Sequence, residues 1–81
     1  MRAAFSERFI GQYSALSPRR KAKFDKQLGF LLLNLRHPSL RAKKYDEARD
    51  IWQARVDDDY RFYFQIERGT YRILSIRRHP K

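Results

Sequence analysis

Cysteine is absent from the 81 residues, which removes disulfides, thiol nucleophiles and cysteine-ligated zinc from the available chemistry. The two histidines, His37 and His79, have few carboxylates near them in sequence, so no metal site is expected and no cofactor is implied. Glycine and proline number only 3 each, too few for a disordered or low-complexity chain. Long apolar runs are missing as well: the longest, residues 30–33, falls far short of the ~20 residues that cross a bilayer. Met1-Arg2-Ala3-Ala4-Phe5 begins no signal-peptide core, so a soluble cytoplasmic protein without a membrane partner is expected. Acidic side chains are scarce, 9 against 19 Lys plus Arg, for a net charge of +10. Such an excess on a small body favours polyanions, nucleic acid first among them.

What is present suits one small folded domain, residues 1–81, with 42% hydrophobic and 15% aromatic residues. A chain this short buries only ~60% or slightly more of its unfolded surface, so the core is thin. Residues 2–5 read as a short strand. Ser6 with Glu7 reads as a helix start, with Phe9, Ile10 and Tyr13 on one face. Ser17-Pro18 restarts the chain as an N-cap followed by proline at the first helical position. From there Phe24, Leu28, Leu31, Leu32 and Leu35 mark an amphipathic helix that ends before Pro38.

After Tyr45 the period changes to two. Trp52, Ala54 and Val56 alternate with Gln53 and Arg55; Tyr60, Phe62, Phe64 and Ile66 alternate with Arg61, Tyr63, Gln65 and Glu67. Asp57-Asp58-Asp59 and Arg68-Gly69 are the turns between strands. In the last strand Leu74 and Ile76 are assigned to the core, with Ser75, Arg77 and His79 opposite. The expected architecture is α+β: two N-terminal helices on a small, mainly antiparallel sheet of three to four strands. Its other face is a basic groove holding Arg55, Arg61, Arg77 and His79.

Such a groove suits RNA, which cleaves itself once its 2′-hydroxyl is aligned with the adjacent phosphate. A protein need only orient the chain, neutralise the charge building on phosphorus and move two protons. A guanidinium fork does the second job, and histidine is the side chain suited to proton transfer near neutral pH. Arg61 and Arg55 are placed to neutralise that charge and His79 to move a proton. Each residue also has a plainer reading. Outward arginines on strands are usually solvated or paired, a histidine near a chain end usually frays, and three adjacent aspartates with alternating directions form a hairpin tip more readily than a metal site. The run Arg19-Arg20-Lys21-Ala22-Lys23 puts cations in the first turns of a helix, against its dipole, either as an RNA-binding surface or as a solvated face. Tyr63 either stacks on a base or covers a neighbour, Trp52 reads as a core anchor, and His37 as loop.

Four segments together carry a resemblance: Lys43-Lys44, Trp52-Gln53-Ala54-Arg55-Val56, Tyr60-Arg61-Phe62-Tyr63-Phe64 and Leu74-Ser75-Ile76-Arg77-Arg78-His79-Pro80-Lys81. In order and spacing the chain resembles the RelE/ParE superfamily of toxins from type II toxin-antitoxin systems, in its RelE/YoeB-like branch. The resemblance implies the RelE-like microbial RNase fold and a ribosome-dependent, metal-independent mRNA endonuclease (an mRNA interferase) that enters the ribosomal A site and cuts by 2′-hydroxyl attack. It implies a cognate antitoxin, with the ribosome and mRNA as the other partners. Arg61 matches the family's phosphate-binding arginine, and His79 the C-terminal histidine of YoeB-like members. Gln53 and Arg55 fall where RelE has two lysines. The resemblance thus implies catalytic roles for Arg61, His79, Arg55 and Lys44, and RNA contacts from Arg41, Lys43, Gln53, Tyr63, Arg77, Arg78 and Lys81. The tyrosine that often closes the site is missing, since Pro80 follows His79, and no glutamate matches the proposed YoeB base. Lys43, Lys44 and His79 are all candidates for that base. Two other functions fit the same residues: a non-nuclease toxin of this fold such as a ParE-like gyrase inhibitor, and a basic nucleic-acid-binding domain.

Overall fold

The computed structural model describes residues 1–80. Two helices, α1 (Glu7–Ser14) and α2 (Pro18–Leu33), pack on a sheet built from β1 (Arg2–Phe5), β2 (Lys43–Asp46), β3 (Ile51–Arg55), β4 (Tyr60–Glu67) and β5 (Thr70–Arg78). The strand order is β1-β5-β4-β3-β2, with β1 parallel to β5 and the other neighbours antiparallel. The α+β class is as the sequence indicates, but the sheet has five strands instead of three to four. The one the pattern missed is β2, a four-residue edge strand, Lys-Lys-Tyr-Asp, with no apolar alternation to betray it. Among the described residues no helix is long and apolar enough to cross a membrane.

The helix starts follow from their caps. Ser6 accepts a hydrogen bond from the Phe9 N–H at 3.0 Å, while its own hydroxyl donates to the Leu74 carbonyl at 2.7 Å. Ser17 accepts from the Arg20 N–H at 3.2 Å with Pro18 in the first turn. Beyond the end of β1, α1 takes over the outer edge of β5: the Gln12 side chain accepts the Ile76 N–H at 2.9 Å. An otherwise unpaired sheet edge is thereby covered.

Phe24 and Leu31 of α2 meet Phe62, Phe64, Ile73 and Ile76 of the sheet in a core closed by Phe9 and Leu40. Two apolar positions assigned inward are exposed, Ile10 and Leu32; each follows a buried residue, and one helical step turns the side chain by about 100°. Leu35 lies past the end of α2. The last strand also differs from simple alternation. Tyr63 pairs with Ser75 but Phe64 with Ile73, so Leu74 has no partner. This bulge shifts the parity: Tyr71, Ile73 and Ile76 face the core, and Leu74 does not. The β4–β5 turn carries positive φ at Arg68 (46°) and Gly69 (74°), the pair that a two-residue type I′ hairpin requires.

Candidate functional site

Strand register brings three arginines side by side on the sheet face away from the helices. Arg55 pairs with Arg61 across β3 and β4, and Arg61 with Arg77 across β4 and β5. Adjacent strands lie about 4.8 Å apart, and like charges placed directly opposite repel. Each guanidinium is held differently. Arg55 donates to the carboxylate of Asp58. Arg61 donates through Nη1 to the carbonyls of Asp57 at 2.6 Å and Tyr60 at 3.0 Å. Arg77 lies over the Tyr63 ring, 4.3 Å from its centre. Carbonyl dipoles and a ring face orient a cation without cancelling its charge, so Arg61 and Arg77 keep theirs.

His79 continues the ladder by one residue, its N–H donating to the Asp59 carbonyl at 2.7 Å. Alternation puts it on the side of Arg77, and its Nδ1 is buried with no hydrogen-bond partner among the described residues. One cross-strand row further along lie Lys43, Gln53, Tyr63 and Ser75. Lys43 is exposed, but Gln53 and Tyr63, expected to be outward and open, are 6% and 4% exposed. The reason for Tyr63 is plain: Arg77 covers its face and the Tyr45 ring meets it edge-on at 4.9 Å. Burial pushes the Tyr63 phenol up, against the pull of Arg77 and Arg61 and with help from Tyr45, so it stays protonated at neutral pH.

Other named residues lie apart from this face. Lys44 pairs with Trp52 on the opposite side of the sheet, its Nζ 5.1 Å from the Trp52 ring and 2.5 Å from Asp50. The hydrogen bond to Asp50 holds its ammonium above the usual lysine range, which disfavours it as a base. Arg78 pairs with Tyr60 and lies 5.8 Å from that ring, again on the helix side. Arg41 is an exposed left-handed residue after the short 3-10 turn Pro38–Leu40. Lys81 lies outside the described residues.

The acidic turn explains how α2 tolerates cations at its start. Asp57 accepts from the N–H groups of Asp59 and Tyr60, both at 2.9 Å, and from Arg20 Nε at 3.0 Å. Lys23 is 3.8 Å away, and the Arg20 guanidinium lies 4.0 Å above the Tyr60 ring. Burial alone would raise the Asp57 carboxyl, but these hydrogen bonds outweigh it and hold the group below its ordinary 3.8. A lowered folded-state pKa contributes stability that is present above the unfolded value and lost as pH falls through the folded one. In urea melts, the stability gap between wild type and Asp57→Asn is therefore expected to be constant near neutral pH and to close as pH drops below 3.8; a gap independent of pH would contradict this pairing.

Three residues at this face carry no strong signal in the sequence. Tyr45, Arg49 and Arg8 line an open cavity beside Tyr63, Ser75 and Arg77. The sole hint is an aromatic residue standing between Lys44 and Asp46 in an otherwise charged edge strand.

Comparison with known proteins places the chain. A family model described as the ParE toxin of the type II toxin-antitoxin system parDE matches residues 5–81. The fold is shared with a YoeB/ParE toxin from Agrobacterium tumefaciens, at TM-score 0.81 and 13% identity, covering 99% of this chain and 100% of that one. It is shared with the YoeB dimer from Staphylococcus aureus, at TM-score 0.82 and 14% identity over 99% and 98%. It is also shared with the archaeal RelE-RelB complex from Pyrococcus horikoshii OT3, at TM-score 0.79 and 16% identity over 95% and 92%. At these identities the likeness is one of fold. No curated protein matches the sequence.

Proposed function

The chain belongs to the ParE toxin family of type II toxin-antitoxin systems, and from the geometry of its arginine face we propose that this toxin acts as an endoribonuclease that cuts mRNA in the ribosomal A site. The observation that carries the reading is the in-register row Arg55–Arg61–Arg77, whose central guanidinium is held by carbonyls and, among the described residues, by no carboxylate. In the reaction a base takes the proton of the 2′-hydroxyl, whose oxygen bonds to phosphorus as the bond to the 5′-oxygen breaks. That oxygen takes up a proton, leaving a 2′,3′-cyclic phosphate and a 5′-hydroxyl. Because RNA supplies its own nucleophile, the protein's task is positioning and charge. Arg61 neutralises the phosphorane, Arg77 and Arg55 hold the flanking strand, and His79 supplies the proton that the 5′-oxygen takes up. A cognate antitoxin is the expected protein partner, with an acidic segment that covers the basic row.

Asp58 occupies the position a phosphate would take on Arg55. It is 90% exposed, and such pairs are worth about 0.2–1 kcal/mol, so a phosphate displaces it readily. Asp58→Asn is expected to bind single-stranded RNA up to about 5-fold more tightly, by that same energy range. Filter binding across a salt series should also show a steeper log-log slope, since each phosphate neutralised adds about −0.7. Unchanged or weaker binding would count against Arg55 as an RNA contact.

The matched family is named for ParE, and the second reading of the chain is a ParE-like inhibitor of gyrase with no nuclease step. Adding the protein to a translating extract with labelled mRNA, and separately to gyrase with relaxed plasmid, tests the two. The proposal expects mRNA fragments ending in cyclic phosphate only while translation runs, and normal supercoiling. Intact mRNA with blocked supercoiling would replace it by the second reading.

A further inference from the structure

We propose that the cavity beside Tyr45 receives one nucleobase of the RNA, stacked on the Tyr45 ring, immediately next to the phosphate held by Arg61. This rests on the reading that the arginine-bearing face takes RNA.

The first support is backbone geometry. Both bulges of the sheet open onto this cavity. The β2–β3 register shifts between Lys44 and Asp46, leaving Tyr45 without a partner. The β4–β5 register shifts at Tyr63 and Phe64, leaving Leu74 without one. A bulge turns two successive side chains toward one face where a regular strand would send them to opposite faces, and bulges are over-represented beside active sites. Tyr45 with Asp46 and Leu74 with Ser75 accordingly line a single cavity of about 430 Å³. That volume lies in the ~300–1,000 Å³ range of small-molecule sites, room enough for one base.

The second support is which aromatic is available. Tyr63 is covered, but Tyr45 is 53% exposed and braced edge-on against Tyr63 with the rings at 63°. A braced ring with an open face on a strand is a stacking platform that loses little side-chain entropy on binding. The third is charge. Arg77, Arg8 and Arg49 line the cavity with one carboxylate, Asp46, which lies 3.9 Å from Arg49, so Arg77 and Arg8 leave a net positive charge for the phosphates on either side of a stacked base. The fourth is spacing: the Tyr63 and Ser75 pair lies two residues along from Arg61 and Arg77, about 7 Å at the rise of a strand, the scale of one nucleotide in an extended chain.

The test uses fluorescence anisotropy with a short labelled single-stranded RNA and a set of the same RNA carrying one abasic site at successive positions. Stacking on one aromatic ring corresponds to about 5- to 150-fold in affinity. Tyr45→Ala is expected to weaken binding of intact RNA at least ~5-fold, at the low end of that range, while Tyr45→Phe binds like wild type. One abasic position should weaken wild type by the same factor and weaken Tyr45→Ala no further. Equal losses for Tyr45→Ala on intact and abasic RNA, or wild-type affinity in Tyr45→Ala, would overturn the inference. Arg61→Ala separates the two levels: if it weakens binding and Tyr45→Ala does not, only the base pocket fails. If neither variant changes binding, the RNA reading of this face fails with it.

Discussion

Arg61→Ala is expected to slow RNA cleavage by about 10²–10³-fold, the usual effect of removing one preorganised donor to a developing oxyanion. Arg61 is central in its row, with Arg55 opposite on one strand and Arg77 on the other. Its Nη1 is committed to the carbonyls of Asp57 and Tyr60, which fixes the plane of the fork. The remaining N–H groups have no partner among the described residues and are free to meet a phosphate. A charge already oriented needs no reorganisation when the transition state forms, which is why its loss reaches the rate and not only the affinity. Arg61→Lys keeps the charge but loses the fork, so it is expected to fall between wild type and alanine. Single-turnover cleavage with circular dichroism on each variant checks this. Cleavage within about 3-fold of wild type in a folded Arg61→Ala protein would remove Arg61 from the mechanism, because such a change is under 1 kcal/mol.

Gln27→Leu is expected to destabilise the fold by about 3 kcal/mol, with a fall in melting temperature of roughly 15 °C for a domain of this size. Gln27 is 4% exposed in the middle of α2. Its Nε2 donates to the Ser39 carbonyl at 2.9 Å and the Arg55 carbonyl at 2.7 Å, and its Oε1 accepts from the Ser39 hydroxyl at 2.8 Å. One amide thus joins α2, the 3-10 turn and the end of β3. Leucine keeps most of the volume and deletes all these bonds, leaving two carbonyls and a hydroxyl without their partner. Since the Arg55 carbonyl belongs to the strand end that presents its guanidinium, RNA affinity should fall as well. Urea melts give the stability directly; a loss below about 0.5 kcal/mol, the scale of an ordinary surface change, would contradict the role.

Much of the fold was legible because several local signals agreed. Ser17-Pro18 opens α2 where its cap chemistry places it, and Arg68-Gly69 turns the last hairpin with both φ angles positive. The alternation from Tyr60 to Ile66 fixed which side of β4 met the helices, and with it the face that carries Arg61. Register, by contrast, depends on pairing. Nothing in Leu74-Ser75-Ile76 marks Leu74 as the extra residue, yet that residue moves the core positions of β5. Lys43-Lys44 looks like a uniform basic segment, but a strand divides it: Lys43 joins the arginine face and Lys44 turns to Trp52 and Asp50. Gln27 sits three residues after Phe24 and four before Leu31, on the same stripe, and a polar residue there was the available hint of a buried network. Alternation puts Tyr63 on the arginine face of the sheet, but its burial depends on Tyr45 and Arg77, contacts between separate strands that no local pattern encodes.

The most direct test of the RNA-cutting reading is to induce wild type, Arg61→Ala and His79→Ala in growing cells and map mRNA 5′ ends by primer extension. Wild type is expected to arrest growth and leave new 5′ ends inside translated reading frames. Those ends should vanish when the start codon of the reporter message is removed, and be lost in Arg61→Ala. Growth arrest with intact mRNA and broken DNA, or cuts that persist in Arg61→Ala, would contradict it.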